Sequence, residues 1–129
     1  MRRHMIVAPL LWMLCACAAM PQRQPRYVVF FEPWSSRIDA PARAVIGEAA
    51  AWAKAHPEQV VQVRGYADPE GSLAATTAIS GLRARVISDL LEADGVRAAR
   101  IRPITEGSVP FSGDDALESR RVEVVFRSP

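Results

Sequence analysis

The chain has 129 residues, of which 50% are hydrophobic and 23% charged, a composition typical of one globular domain rather than of a disordered segment. Sixteen basic residues stand against fourteen acidic ones, and two of the sixteen are Arg2 and Arg3 at the start of the chain. Without that segment the charges balance at fourteen each, which excludes the basic field that nucleic-acid binding needs. We therefore expect no nucleic-acid partner.

Cysteine and histidine are too scarce for metal or cofactor chemistry. Cys15 and Cys17 lie two residues apart in one apolar stretch, and the only histidines are His4 and His56. A structural zinc site needs about four ligands, and a Ser or Cys nucleophile usually needs a histidine base. We therefore expect no metal, no cofactor and no catalytic triad.

The N-terminal segment has the pattern of a secretion signal. A basic start, residues 1–4, precedes the apolar run Met5–Leu14, which is too short for a membrane span of about 20 residues but suits a signal-peptide core. The run ends in Leu14-Cys15-Ala16-Cys17, where Leu at −3, Ala at −1 and Cys at +1 resemble the lipobox of bacterial lipoproteins. The alternative is an ordinary secretory signal cut near Ala18 or Ala19.

The lipobox resemblance implies that residues 1–16 are a signal peptide and that Cys17 becomes the acylated N-terminus of the mature chain. Several acyl chains hold a protein stably on a membrane, since each buried methylene contributes about 0.8 kcal/mol. Because Ala18 is not acidic, resemblance to sorted lipoproteins favours the outer membrane, with the folded domain in the periplasm. Residues 17–26 then comprise the anchored cysteine and a flexible tether, rich in Pro and Gln, of at most about 30 Å.

The remaining residues, 27–129, alternate between strand and helix patterns. β-Branched and aromatic runs predict strands at Tyr27–Phe31, Val60–Tyr66, Arg100–Glu106 and Arg121–Phe126. Pro103 favours an edge position for the third strand, because proline cannot donate to a neighbouring strand. A stretch rich in Gly, Ser, Pro and Asp, Gly107–Asp115, is expected to be a loop.

Two helices are predicted between these strands. One begins at the N-cap Asp39 and stops before His56-Pro57, and the other covers Leu73–Ala93, with Gly95 after its end. The order β-α-β-α-β-β predicts an α/β two-layer sandwich, in which two helices pack on one face of a small mixed sheet.

The second predicted helix carries a charged residue on its apolar face. That face is formed by Ile79, Leu82, Val86, Ile87 and Leu90. Arg83 lies three or four residues from three of them, whereas Arg85 points to solvent. A buried guanidinium without an anion costs several kcal/mol, so we expect a carboxylate or phosphate partner from the protein or from a ligand. The alternatives are an internal ion pair and a side chain that extends to water.

Two further charged residues are predicted at the same end of the sheet. Asp68 follows the second strand, where ligands of open α/β folds usually bind, although it is also placed to cap the second helix or fix the turn. Alternation along the last strand puts Arg120 on the side of the helices and Arg121 on the opposite side. Asp68, Arg83 and Arg120 together suit a zwitterion, because a carboxylate holds an ammonium and a guanidinium holds a carboxylate.

These residues coincide with the motif of a known family. Gly65-Tyr66-Ala67-Asp68-x-x-Gly71, followed by Ile79-Ser80-x-x-Arg83-Ala84, resembles the OmpA-like domain, the C-terminal domain of outer-membrane protein A. Gly95-Val96, Arg100-Ile101 and the closing Arg120-Arg121-Val122-Glu123-Val124 resemble it as well. The match covers residues 27–127, and the fifteen-residue spacing from Asp68 to Arg83 is also the family's.

The resemblance implies a protein that is not an enzyme and that binds peptidoglycan non-covalently, through the diaminopimelate residue of the stem peptide. The family's turn aspartate and helix arginine, here Asp68 and Arg83, contact the ammonium and carboxylate of that residue, and Arg120 borders the site. With a lipid anchor at Cys17, the chain would tie the outer membrane to the cell wall.

Three departures from the family pattern leave a second interpretation open. Thr76 and Ser119 stand where the family usually has asparagines, and Pro33 is inserted after the first strand; Thr76 is kept as a candidate ligand residue. The alternative is a protein-interaction or assembly module that keeps the fold, has a degenerate or absent peptidoglycan site and joins envelope protein partners. A hydrolase is a third class, but the spacing of Asp68, Glu70 and Glu106 does not suggest a catalytic carboxylate pair.

Overall fold

The computed structural model describes residues 23–108 and 116–129. Its main elements are β1 (Arg26–Phe30), α1 (Ala40–Ala55), β2 (Val60–Ala67), α2 (Leu73–Ala93), β3 (Ile101–Ser108), α3 (Ala116–Ser119) and β4 (Arg121–Arg127). One 3₁₀ turn, Ala98–Arg100, precedes β3. The predicted α/β two-layer sandwich is confirmed; the short α3 was not predicted, and most of the loop expected at Gly107–Asp115 lies outside the described residues.

The four strands form one mixed sheet in the order β1-β4-β2-β3. β4 runs antiparallel to both β1 and β2, whereas β2 and β3 are parallel. β3, the strand with Pro103, lies at an edge as predicted. Since β1 and β2 point the same way, the loops that follow them meet the residues that precede β4 at one end of the sheet.

Both long helices begin and end at residues with a local reason to do so. Asp39 caps α1 by accepting a hydrogen bond from the backbone N–H of Ala42 at 2.8 Å, and α1 ends before His56-Pro57, as predicted. Ser72 caps α2 through the N–H of Ala75 at 3.1 Å, so Asp68 is not the cap of this helix. Gly95 follows α2 with a φ of 99°, a conformation that glycine adopts without strain.

The helices cover one face of the sheet and enclose a single core. Apolar side chains of the sheet contact those of the two helices in a cluster that includes Ile46, Val61, Val63, Ile87, Leu91, Val122, Val124 and Phe126. The cluster lies entirely between Tyr27 and Phe126, so residues 23–129, hereafter the soluble fragment, contain a complete core. No helix within residues 23–108 or 116–129 has the length and apolar character needed to cross a membrane.

The buried face of α2 differs from the predicted one. Leu82 is 44% exposed, and the buried residues of this helix are Thr76, Ser80, Arg83, Ala84, Ile87, Ser88 and Leu91. The physical reason is the close approach of α2 to β2. A Cβ on Gly65 would lie 2.1 Å from the carbonyl oxygen of Ser80 and 3.1 Å from the Cβ of Ala84, so only small side chains fit between helix and strand.

We predict that Gly65→Ala lowers the free energy of unfolding by about 2 kcal/mol or more, because the new methyl group would overlap backbone that cannot move aside. Urea denaturation of the soluble fragment, followed by circular dichroism, measures this change. Gly47→Ala is the control: it lies within α1 with no heavy atom within 4 Å of its added Cβ, and should raise stability by about 0.5–1 kcal/mol. Equal stabilities for the two variants would contradict the close approach.

Candidate functional site

The predicted charged residues gather at the end of the sheet where β1 and β2 finish and β4 begins. Asp68 directly follows β2, Arg120 directly precedes β4, and Arg83 lies on the buried face of α2. Arg121, by contrast, lies on the open face of the sheet, with its guanidinium 4.2 Å from the centre of the Tyr66 ring. The strand parity that assigned Arg120 and Arg121 to opposite sides is therefore confirmed.

Asp68 is held by the two residues that precede β4. The hydroxyl of Ser119 donates a hydrogen bond to one carboxylate oxygen, and Nη1 of Arg120 lies 3.6 Å from the other. Nε of Arg120 also donates to the carbonyl oxygen of Phe31, 3.2 Å away, which ties the end of β1 to the same group. Each side chain of the ion pair is 17% exposed, so both charges are within reach of solvent.

Arg83 is buried, but its partners are not the predicted anions. Arg83 is only 1% exposed, which confirms the predicted burial. Nε donates to the carbonyl oxygen of Ser35 at 2.8 Å, Nη1 to that of Tyr66 at 3.1 Å and Nη2 to that of Glu32 at 3.1 Å. Within the described residues, the expectation of a carboxylate partner from the protein is therefore wrong, because backbone carbonyls accept three of the five N–H groups of this guanidinium.

Charge and burial act on Arg83 together. Burial lowers the pKa of this guanidinium from its ordinary value, the nearby Asp68 carboxylate opposes that change, and the positive charge of Arg120 adds to it. The ring of Phe31 also lies against the cation, 5.2 Å from Cζ to the ring centre. Asp68 thus lies within the fields of two guanidinium groups, one partly exposed and one buried.

Thr76 has a local role in the first turn of α2. It is 2% exposed, and its hydroxyl lies 3.2 Å from the carbonyl oxygen of Ser72 and 3.1 Å from that of Leu73. These bonds satisfy carbonyls of its own helix. The geometry therefore gives no support to Thr76 as a ligand residue.

Two features of this end of the molecule were missed in the sequence. Ser119 was noted only as a replacement for asparagine, yet its hydroxyl bonds Asp68. The loop after β1 contributes through its backbone, since the carbonyls of Glu32 and Ser35 accept hydrogen bonds from Arg83. No pattern of side chains in the sequence predicts these backbone contacts. The sequence signal for Ser119 is a hydroxyl side chain next to an arginine pair at the start of a strand.

A groove of about 410 Å³ opens beside the loop after β1, and its volume is in the range of small-ligand sites. Phe31, Glu32 and Ser35 line it together with Arg37 and Asp39. The three loop residues are also those whose carbonyls bind Arg83 and Arg120, so the groove adjoins the Asp68 site. Within residues 23–108 and 116–129, no cluster of three His, Cys, Asp or Glu residues is arranged to hold a metal ion.

Comparison with known proteins decides the family. The OmpA family matches residues 30–124 of the sequence. The chain belongs to the OmpA family. The resemblance inferred from the Asp68–Arg83 motif is therefore confirmed.

Named relatives support this assignment to the OmpA family. The peptidoglycan-associated lipoprotein of Rhizobium meliloti (strain 1021) is 32% identical over 100 residues, covering 73% of this chain and 57% of that protein. That of Agrobacterium fabrum is 32% identical over 79 residues, covering 61% of this chain and 45% of that protein. The chain thus spans about half the length of these curated relatives.

A solved structure shows the same fold. The crystal structure of the peptidoglycan-associated lipoprotein from Burkholderia pseudomallei superimposes with a TM-score of 0.72 at 24% identity, over 78% of this chain and 90% of that one. The small mixed sheet with helices on one face is therefore the OmpA-like fold.

We predict that Arg83→Lys lowers the free energy of unfolding of the soluble fragment by about 2–4 kcal/mol, because a single ammonium cannot span three carbonyls on two segments of the chain. Urea denaturation measures the loss. Arg85→Lys, an exposed substitution on the same helix, is the control and should change stability by less than about 0.5 kcal/mol. Equal stability of the two variants would show that the carbonyl contacts of Arg83 are dispensable.

Proposed function

We propose that this protein is a non-catalytic lipoprotein that anchors the outer membrane to the cell wall by binding the diaminopimelate of peptidoglycan stem peptides. The names of its relatives, peptidoglycan-associated lipoproteins, support the class of ligand. The observation that carries the proposal is a partly exposed carboxylate, Asp68, beside the partly exposed Arg120 and above the buried Arg83.

The proposed ligand brings one charge of each sign to this arrangement. The ammonium of diaminopimelate would take the place of Arg120 at the carboxylate of Asp68. Its carboxylate would bind Arg120 and the two N–H groups of Arg83, one on each terminal nitrogen, that the three carbonyl bonds leave over. The exchange replaces one cation beside Asp68 with another, so the negative charge of its carboxylate stays compensated.

The lipid anchor is the second part of the proposal. We infer that Cys17 is acylated after removal of residues 1–16, and that residues 18–26 link it to β1. The first residue of β1, Arg26, lies at the end of the sheet opposite Asp68, because β1 and β2 run in the same direction. An anchored chain would therefore enter the domain on one side and bind the wall on the other.

An interaction module without a peptidoglycan site is the second candidate. The hydrogen bonding of the site favours it: Ser119 and Arg120 already occupy both oxygens of Asp68, and Arg83 already donates three of its five N–H groups to backbone carbonyls. Under this interpretation, the charged residues hold the loops together and an envelope protein binds elsewhere.

We predict that the soluble fragment sediments with purified sacculi and that Asp68→Ala reduces the bound fraction at least tenfold, because the group that holds the ammonium is lost. Arg83 variants are avoided, since they would report loss of stability. Glu70→Ala, which removes an exposed carboxylate from the same loop, is the control and should bind as the wild type does. Wild-type protein that stays in the supernatant, with no NMR shifts at Asp68 on addition of diaminopimelate, would favour the interaction module.

We predict that Cys17→Ala abolishes incorporation of a fatty-acid analogue in cells and releases the protein from the membrane fraction, because no thiol remains to be acylated. Cys15→Ala is the control: its cysteine lies within the segment expected to be removed, and labelling should persist. Labelling that survives Cys17→Ala would exclude the lipobox and favour an ordinary secretory signal.

A further inference from the structure

Trp34 occupies a backbone conformation that its side chain disfavours. It is the third residue of a turn in which the N–H of Ser35 donates to the carbonyl of Glu32 at 3.1 Å, with Pro33 in second place. Among the described residues, Trp34 alone combines a side chain with a positive φ, of 53°. A turn with proline second and a positive φ third ordinarily takes glycine or asparagine there. A large aromatic residue therefore weakens the turn that it occupies.

Surrounding contacts keep the turn in place in spite of this strain. Arg83 binds both ends of the turn, through the carbonyls of Glu32 and Ser35. Cη2 and Cζ2 of the Trp34 indole lie against Gly71. A Cβ added to this glycine would be only 2.8 Å from Cη2 and 3.0 Å from Cζ2, so the ring needs glycine there. The ring is thus fixed against the loop between β2 and α2, only three residues beyond Asp68.

The ring is nevertheless far from buried. Trp34 is 52% exposed, although packing against Gly71 covers part of it. Strain of this kind persists where a residue has a function that the preferred residue lacks. A smaller residue would relieve the turn, and the contact with Gly71 leaves about half of the tryptophan available to a ligand.

We propose that Trp34 is a carbohydrate-binding residue, whose exposed indole face receives the C–H face of a glycan sugar of peptidoglycan while the attached stem peptide binds at Asp68. This inference rests on the proposed function. The electron-rich face of an aromatic ring attracts polarised C–H groups, and pyranose rings present such groups on one side. The chain from Asp68 to Gly71 spans at most about 10 Å, a separation that a stem peptide of a few residues bridges.

The contacts of the turn and of Gly71 hold the Trp34 ring in position before a ligand binds. A platform that is fixed before binding loses little conformational entropy when the sugar docks. Arg83 provides that rigidity by holding the turn to the carbonyl of Tyr66 at the end of β2, so one buried cation would support both the peptide site and the sugar platform.

Calorimetric titration of the soluble fragment with two ligands tests the inference: a muropeptide that carries its disaccharide, and the same stem peptide without sugars. We expect Trp34→Gly to weaken muropeptide binding about three- to tenfold and to leave stem-peptide binding unchanged within twofold. Trp34→Phe, which keeps an aromatic face, should retain most of the affinity. Because glycine suits the positive φ, the melting temperature of Trp34→Gly should equal or exceed that of Trp34→Phe.

A spectroscopic measurement avoids any effect of Trp34 variants on folding. The soluble fragment contains two tryptophans, Trp34 and Trp52, so Trp52→Phe leaves Trp34 as the only indole. Its emission should shift on addition of muropeptide but not of the bare stem peptide. The inference is overturned if the emission is unchanged by muropeptide, or if Trp34→Gly weakens both ligands equally. Failure of the wild type to bind the bare stem peptide would instead count against the proposed function of Asp68.

Discussion

The functional end of this domain depends on one buried guanidinium. Arg83 reaches from α2 to three carbonyl oxygens, two in the loop after β1 and one near the end of β2. Those segments are distant in sequence and are not joined by the sheet ladder, so no repetitive backbone pattern fixes their relative positions. A planar guanidinium fixes them instead, by donating three of its five N–H groups to their carbonyls. Burial lowers the pKa of this group, and the nearby Asp68 carboxylate opposes that change.

The position of Arg83 depends in turn on how closely α2 approaches the sheet. Gly65 of β2 packs directly against the backbone of Ser80 and the methyl group of Ala84. Because these residues are small, the axis of α2 lies close to β2. At that distance, an arginine one residue before Ala84 lies just above the carbonyl of Tyr66. Small residues on one helix and one strand therefore set the geometry of a charged site several residues away, which is why the apolar stripe of α2 and its buried face do not coincide.

The fold was more predictable from sequence than the contacts of the site. Some features of the fold depend only on neighbours along the chain, and these predictions are confirmed: the strand periodicity, the edge position of the strand with Pro103 and the helix cap at Asp39. The partners of Arg83 could not be predicted in this way, because backbone carbonyls carry no residue-type signal. The position of Trp34 was equally hidden, since local preference would have placed glycine at a positive φ.

The arrangement of β1 has a mechanical consequence. This strand enters the sheet at Arg26, and its five residues pair with β4 in an antiparallel ladder whose hydrogen bonds run across the strands. A force that pulls the N-terminus away from a ligand held beyond Phe31 acts along the strand axis. It loads all the rungs of the ladder at once, in shear, rather than peeling them apart one at a time. Under the proposed function, an edge strand of five residues loaded in this way would resist a membrane being drawn away from the wall.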